Sequence, residues 1–275
     1  MHPILNIATR AVRKAGDYII KNYEFHQNIT SIQNKNNNFI TKIDHNVEKI
    51  LIEIIHKSYP YHTIITKKGN KILGKNNDIQ WIINPLSDGI NFIKRFPHFS
   101  ISIAVLIKNI ITHNKKYTEV AVVYDPISNE LFSATRGHGA QLNNYRLRMT
   151  EQHILNTSII ALNFPFKNKN FSDLFIKTLN LIIKNCANFR NTGSTSLDLC
   201  YVAANRVDAF YGINLNTCDF LCGDLIIREA GGIINNFIIN DKSIFLNIFI
   251  AGDLHIVKDI LNILKKYLHS NKLFI

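Results

Sequence analysis

Trp81-Ile82-Ile83-Asn84-Pro85-Leu86-Ser87-Asp88-Gly89-Ile90-Asn91-Phe92 is the most informative stretch of the chain. An apolar run enters a proline, then polar residues and a glycine, which reads as a buried strand ending in a turn. Oxygen-bearing side chains at such a strand end are well placed to hold a hard cation over a phosphate. The same residues also describe a strand followed by an ordinary turn, so the reading has to be decided by the rest of the chain.

Upstream, Ile4, Ala8, Ala11, Val12, Ala15 and Ile19 repeat at helical spacing, as do Ile43, Val47, Ile50, Leu51, Ile54 and Ile55, whose helix ends before Pro60. The polar run Asn34 to Asn38 between them reads as a loop or hairpin tip. Strands are expected at Thr63 to Thr66, Ile79 to Ile83, Ser100 to Ile107, Val120 to Tyr124 and Glu130 to Thr135, with Asp125-Pro126 opening a turn and Gly137 and Gly139 marking a bend. Further on, strands are expected at Ser158 to Leu162, Asp208 to Ile213 and Asn247 to Ala251. Helices are expected over Phe171 to Lys184, Ser194 to Ala204, Asp219 to Ala230 and Leu254 to His269. Ser194 or Thr195 supplies an N-cap, and Gly231-Gly232 stops the third of these helices. Neither an internal repeat nor a flexible linker is evident. Helices and hairpins alternating along the chain make layered α+β the expected class.

Composition fits this reading. Of 275 residues, 46% are hydrophobic and 19% charged, which is globular and not disordered. The net charge of +12 favours polyanionic partners, although an excess of Lys, Asn and Ile also follows from AT-rich codons. Cys186, Cys200, Cys218 and Cys222 form no zinc-type pattern, and Cys218 and Cys222 lie one helical turn apart, which suits packing in a reduced compartment. Arg10, Arg13, Lys14 and Asp17 interrupt the first apolar residues, so no signal peptide is expected, and Phe99 to Ile107 is too short to span a bilayer. These points make the cytoplasm the expected location. The histidines are scattered without a nucleophile at a catalytic spacing, and surface or capping roles are expected of them.

The opening segment resembles the D-P-L-D-G-T-T-N-F signature of the magnesium-dependent inositol monophosphatases. Asp219-Phe220-Leu221-Cys222-Gly223, running on to Gly231-Gly232, resembles their second signature, W-D-x-A-A-G. Phe39 to Asp44, Tyr124-Asp125-Pro126, Gly137 to Ala140 and Asn163-Phe164-Pro165-Phe166 are further echoes in family order. Met1 to Ala8, Phe92 to Phe99 and Glu119 to Pro126 are similar to one bacterial branch of that family. The resemblance implies a layered αβαβα sandwich with residues 1–275 as one inositol monophosphatase-like domain; if two lobes are present, they meet near 145–155.

The family's chemistry, as the resemblance implies it, uses Mg2+ held by acids to polarise a phosphate and activate water. Here a ligand Glu corresponds to Lys67, the first signature Asp to Asn84 and the second to Ser87. The Thr that helps activate water corresponds to Gly89, with Ile90 beside it, and a substrate-contacting Glu corresponds to Gly212. Asp44 and Asp219 are retained. The Leu86 carbonyl, Asp219 and, by a one-residue slip, Asp88 are the groups left for a metal, while Arg190 and Asp219 match substrate-contacting positions. Lys67 is the largest change: two unit charges ~4 Å apart interact by about 4 kcal/mol at an effective dielectric near 20, and a dication doubles that. These replacements argue against Mg2+ binding and leave the catalytic set incomplete.

Two functions therefore stand side by side. The branch resemblance implies a role in ribosomal RNA transcription antitermination and RNA folding, alongside RNA polymerase, Nus factors and the ribosomal RNA leader, with phosphatase activity lost or very weak. It also implies a homodimer, and the missing signal peptide and spanning segment make membrane association unexpected. The alternative is a Mg2+-dependent inositol-1-phosphate phosphatase with a rearranged metal site. Lys115-Lys116, in the hairpin from Lys108 to Tyr117, reads as a solvated loop or a phosphate-contacting tip.

Overall fold

The computed structural model describes residues 2–24, 31–33, 39–67, 69, 71–72, 74–108, 116–149, 154–164, 172–215, 217–241 and 244–270. In chain order the elements are α1 (Pro3–Glu24), β1 (Ser31–Gln33), β2 (Phe39–Thr41), α2 (Lys42–Ser58), β3 (His62–Thr66), β4 (Lys71–Ile72), β5 (Asn76–Ser87) and α3 (Gly89–Ile93). Then come β6 (Ser100–Lys108), β7 (Lys116–Asp125), β8 (Glu130–Thr135), β9 (Gly139–Leu142), β10 (Tyr145–Leu147), a 3-10 turn at Leu155–Thr157, β11 (Ile159–Asn163) and α4 (Ser172–Ile183). The last are β12 (Asn188–Arg190), α5 (Thr195–Ala203), β13 (Ala209–Ile213), α6 (Thr217–Glu229), β14 (Ile233–Asp241), β15 (Ile244–Gly252) and α7 (Leu254–Ser270).

Two sheets carry the body. The first has eight strands in the order β10-β9-β8-β7-β6-β5-β3-β4, and the second has five in the order β12-β11-β13-β15-β14. All pairings in the first are antiparallel except β3 with β5. In the second, β11 runs parallel to β12 and β13, and the rest is antiparallel.

Three apolar cores separate five layers. Ala8, Val12 and Ala15 of α1 and Val47, Leu51 and Ile55 of α2 pack on Trp81, Ile83, Ile103 and Val122 of the first sheet. The opposite face of that sheet, with Ile82, Ala104, Ala121, Val123 and Phe132, packs on α5 and α6 through Leu199, Val202, Cys218, Cys222 and Ile226. Ala161, Phe210, Phe249 and Ala251 of the second sheet complete this central core. Ile160, Tyr211, Ile248 and Ile250 then meet Phe175 of α4 and Ile256, Ile260 and Leu264 of α7. The result is an αβαβα sandwich, the expected class. Strands covered on both faces need apolar residues throughout, which is why β5 to β7 lack a clean alternation.

The strand expected at Ile79 to Ile83 is longer: β5 continues through Pro85 to Ser87. Its register against β6 shifts between Asn84 and Ser87, so the residues read as a turn are a β-bulge that accommodates Pro85, which has no N–H to donate. The glycine bend at Gly137 leads directly into β9, and β14, unmarked in the sequence reading, pairs along the whole of β15. Ser194 is at the N-cap position of α5, but its side chain makes no capping hydrogen bond. The polar run 34–38, the hairpin tip 109–115, residues 165–166 and 171 of two expected features, and 150–153 of the expected lobe boundary lie outside the described residues.

Candidate functional site

The bulged end of β5, the end of β3 and the first turn of α6 come together on a polar cluster in which Asn84, Ser87 and Asp219 are buried and Lys67 is exposed. Just past β3, the Lys67 ammonium donates to the Leu86 carbonyl at 3.2 Å. Asn84 is fully buried, and its amide donates to Oδ1 of Asp219 at 3.0 Å, joining β5 to α6. The Asn84 amide oxygen, also buried, has no hydrogen-bond partner among the described residues. Ser87 belongs to a hydroxyl net, with its Oγ 2.6 Å from Ser100 Oγ and 3.2 Å from Ser196 Oγ, which carries the net onto α5.

Two of the replaced positions, Lys67 and Asn84, thus engage the retained oxygens of Leu86 and Asp219, while Ser87 is taken up by neighbouring hydroxyls. Asp88 turns the chain from β5 into α3 with a left-handed backbone, φ 60° and ψ 54°, a conformation that Asp tolerates better than most residues. Gly89 opens α3, and Ile90 is exposed. Asp44 is buried in the first turn of α2, a helix that packs on β5.

Gly212 lies on β13, where an added Cβ would stand 2.7 Å from the Phe210 ring and 3.0 Å from Leu215. The space that a glutamate would enter is taken by those side chains. Arg190 lies on the edge strand β12, exposed, with its guanidinium donating to the Phe189 carbonyl at 2.8 Å. It makes no ion pair among the described residues.

One carboxyl was missed by sequence reasoning. Asp198 of α5 is buried and accepts a hydrogen bond from Thr192 Oγ1 at 2.8 Å. Burial pushes its pKa up to about 8; the Thr192 bond pulls it down and the Asp88 charge pushes it further up. The available signal was an acid standing alone in the apolar run Leu197 to Val202.

The remaining candidates are accounted for by packing. Cys200, Cys218 and Cys222 are buried thiols that form no disulfide among the described residues. The His62 ring stacks on Tyr59 and accepts from the Trp81 indole at 3.0 Å, a structural role that the expected surface or capping role did not include. His98 is held below the ordinary imidazole range by burial, opposed by Asp125. Among the described residues, no group of three or more His, Cys, Asp and Glu is placed to hold a metal, and no helix is long and apolar enough to cross a membrane.

Two sheets interleaved with three helical layers, and a polar centre where a strand end meets a helix start, define a layered phosphatase-type fold. The chain belongs to the inositol monophosphatase family, whose sequence profile matches residues 1–251. That family implies dependence on Mg2+. The chain is 49% identical to the Nus factor SuhB of Escherichia coli K12 over 261 residues, covering 95% of each protein. It is 47% identical to the Nus factor SuhB of Haemophilus influenzae over 262 residues, or 95% of this chain and 96% of that one. Among solved structures, the extragenic suppressor protein suhB of Bartonella henselae superposes with a TM-score of 0.85 at 29% identity, covering 96% of this chain and 99% of that one. The inositol monophosphatase of Thermotoga maritima gives 0.80 at 25% identity, covering 98% and 99%.

Proposed function

We propose that this protein acts as a Nus-type partner in ribosomal RNA transcription antitermination and RNA folding, with its phosphatase chemistry lost or very weak. Its partners on this reading are RNA polymerase, Nus factors and the ribosomal RNA leader. It works in the cytoplasm, as a homodimer. Near-full-length similarity to proteins named Nus factor SuhB supports the role.

The observation that carries the loss of catalysis is the Lys67 ammonium bonded to the Leu86 carbonyl. A hard cation needs oxygen atoms with negative charge turned toward it. Here the carbonyl faces an ammonium, Asp219 faces an amide N–H, and Ser87 brings a neutral hydroxyl already engaged by two others. This donor set does not fit Mg2+, so no hydrolytic step is assigned to it. The second reading, a rearranged Mg2+ phosphatase, rests on Asp88, whose charge is close enough to Asp198 to act on its ionisation.

Hydrolysis of inositol 1-phosphate in Mg2+ separates the two. The expected turnover is far below the ~10 per second of an ordinary enzyme. Lys67→Glu alone should not restore it, since residues that act as one catalytic unit are strongly non-additive. Magnesium-dependent turnover within tenfold of that ordinary value favours the rearranged enzyme.

A further inference from the structure

Lysines are spread over most of this surface, but at one place on the first sheet they gather. Lys108 ends β6 and Lys116 opens β7, and the two are register partners directly across the strand pair. Like charges in that arrangement oppose pairing. Lys71, exposed on the short edge strand β4, adds its charge: together with Lys108 it acts to depress the Lys116 pKa, after burial as the main cause. Asp78 is the carboxylate among them, 3.4 Å from Lys108 and itself largely exposed. Lys108 and Lys116 therefore share this carboxylate, and Lys71 adds a third ammonium charge beside them. Codon drift adds lysines without regard to position and gives no reason for cross-strand neighbours.

An aromatic group precedes the neighbouring strand: His62, next to Tyr61, pairs with Asn76, two residues before Asp78. Tyr61, just before β3, is 59% exposed, and the Lys75 ammonium lies 5.9 Å from its ring centroid. Lys75 directly precedes β5, the strand that carries Asp78. Clustered ammonium groups beside an open aromatic ring combine the two elements that hold single-stranded nucleic acid, charge for the backbone and a face for a base.

We propose that Lys71, Lys108 and Lys116, with Lys75 and Tyr61 beside them, form a docking surface for the phosphate backbone of single-stranded RNA. This rests on the partner-protein reading and assigns its RNA contact to lysines of β4, β6 and β7 of the first sheet. Recognition is expected to be tolerant of sequence, because phosphates position and do not specify.

The test uses the full chain and a fluorescein-labelled single-stranded oligouridine, followed by anisotropy across a salt series. The patch variant is Lys71→Gln/Lys108→Gln/Lys116→Gln. A control of equal net charge is Lys14→Gln/Lys258→Gln/Lys265→Gln, at exposed positions on the outer helices α1 and α7. The expected result is at least a tenfold loss of affinity for the patch variant and less than twofold for the control. The salt slope should fall by about 2 log units per decade when three phosphates are no longer neutralised. Separating like charges should leave the melting temperature of the patch variant unchanged or higher. If the triple variant fails to fold, Lys71→Gln alone should weaken binding in the same direction.

Equal losses in the two triple variants would overturn the proposal, as would no RNA binding by the unaltered protein at micromolar concentration. Displacement of the RNA by polyglutamate at equal charge would overturn it in favour of an acidic protein surface. Binding to Nus factors or polymerase that survives these outcomes leaves the partner-protein reading standing without this surface.

Discussion

Lys67 ties the end of β3 to the bulge of β5 through one hydrogen bond to a carbonyl. An ammonium there supplies, from within the chain, positive charge at an oxygen that the family's chemistry would give to a metal. The neighbouring Asn84 bond to Asp219 is charge-assisted, a class worth about 1.5–3 kcal/mol. Asp198 shows what the same centre does to an acid without such a partner. Its folded pKa is about 8, above the ordinary 3.8, so between these values the folded chain holds a proton that the unfolded chain has released. Its contribution is fully present below about pH 4 and falls by up to about 1.4 kcal/mol per pH unit until about pH 8. Asp198→Asn should flatten that decline in urea unfolding followed from pH 5 to pH 8; an unchanged slope means that Asp198 titrates normally. At this scale the sequence itself displays the lost acidic charge, with an ammonium at Lys67 and neutral groups at Asn84 and Ser87. For Asp198 it offered only an acid standing alone in an apolar run, because the burial of that acid depends on the packing of α5 between two sheets.

The helices α5 and α6 form the middle layer, and Gly223 of α6 packs directly against Leu199 of α5. A Cβ added there would stand 2.3 Å from Leu199 Cδ1 and 2.7 Å from Leu199 Cβ, atoms that are fully buried and have nowhere to retreat. Gly223→Ala should therefore destabilise by about 1–3 kcal/mol, the usual cost of overpacking, despite alanine's better helix propensity. A lower urea midpoint at unchanged slope is the expected readout, and equal or greater stability would show that the two helices separate readily. Element existence was readable from periodicity in α1, α2 and α7, whose buried faces repeat every three to four residues. The weak points were β5 beyond Ile83 and the β14 partner of β15, where proline and asparagines mask strand character and only cross-strand pairing decides.

For the whole molecule, the central core decides how the chain unfolds. Ile82, Ala104 and Phe132 of one sheet and Ala161, Phe210 and Phe249 of the other are buried on the same two helices, so neither sheet keeps its inner face covered alone. We propose that the chain is one cooperative domain. Circular dichroism and tryptophan fluorescence of Trp81, in the first sheet, should report a single coincident transition, and two separated transitions would restore two lobes as units. The layered class was legible from alternating helices and hairpins, but the family resemblance supplied the order of layers, since periodicity does not say which sheet a strand joins.

The central claim is that this family fold works through its surfaces while its metal centre is held by the chain's own N–H donors. Binding of the purified protein to Nus factors, RNA polymerase and ribosomal RNA leader, measured with Mg2+ and again in excess chelator, tests it most directly. The account predicts micromolar or tighter binding to at least one of these, with the same dissociation constant in both conditions. No binding to any of them, or binding that appears only with Mg2+, would contradict it.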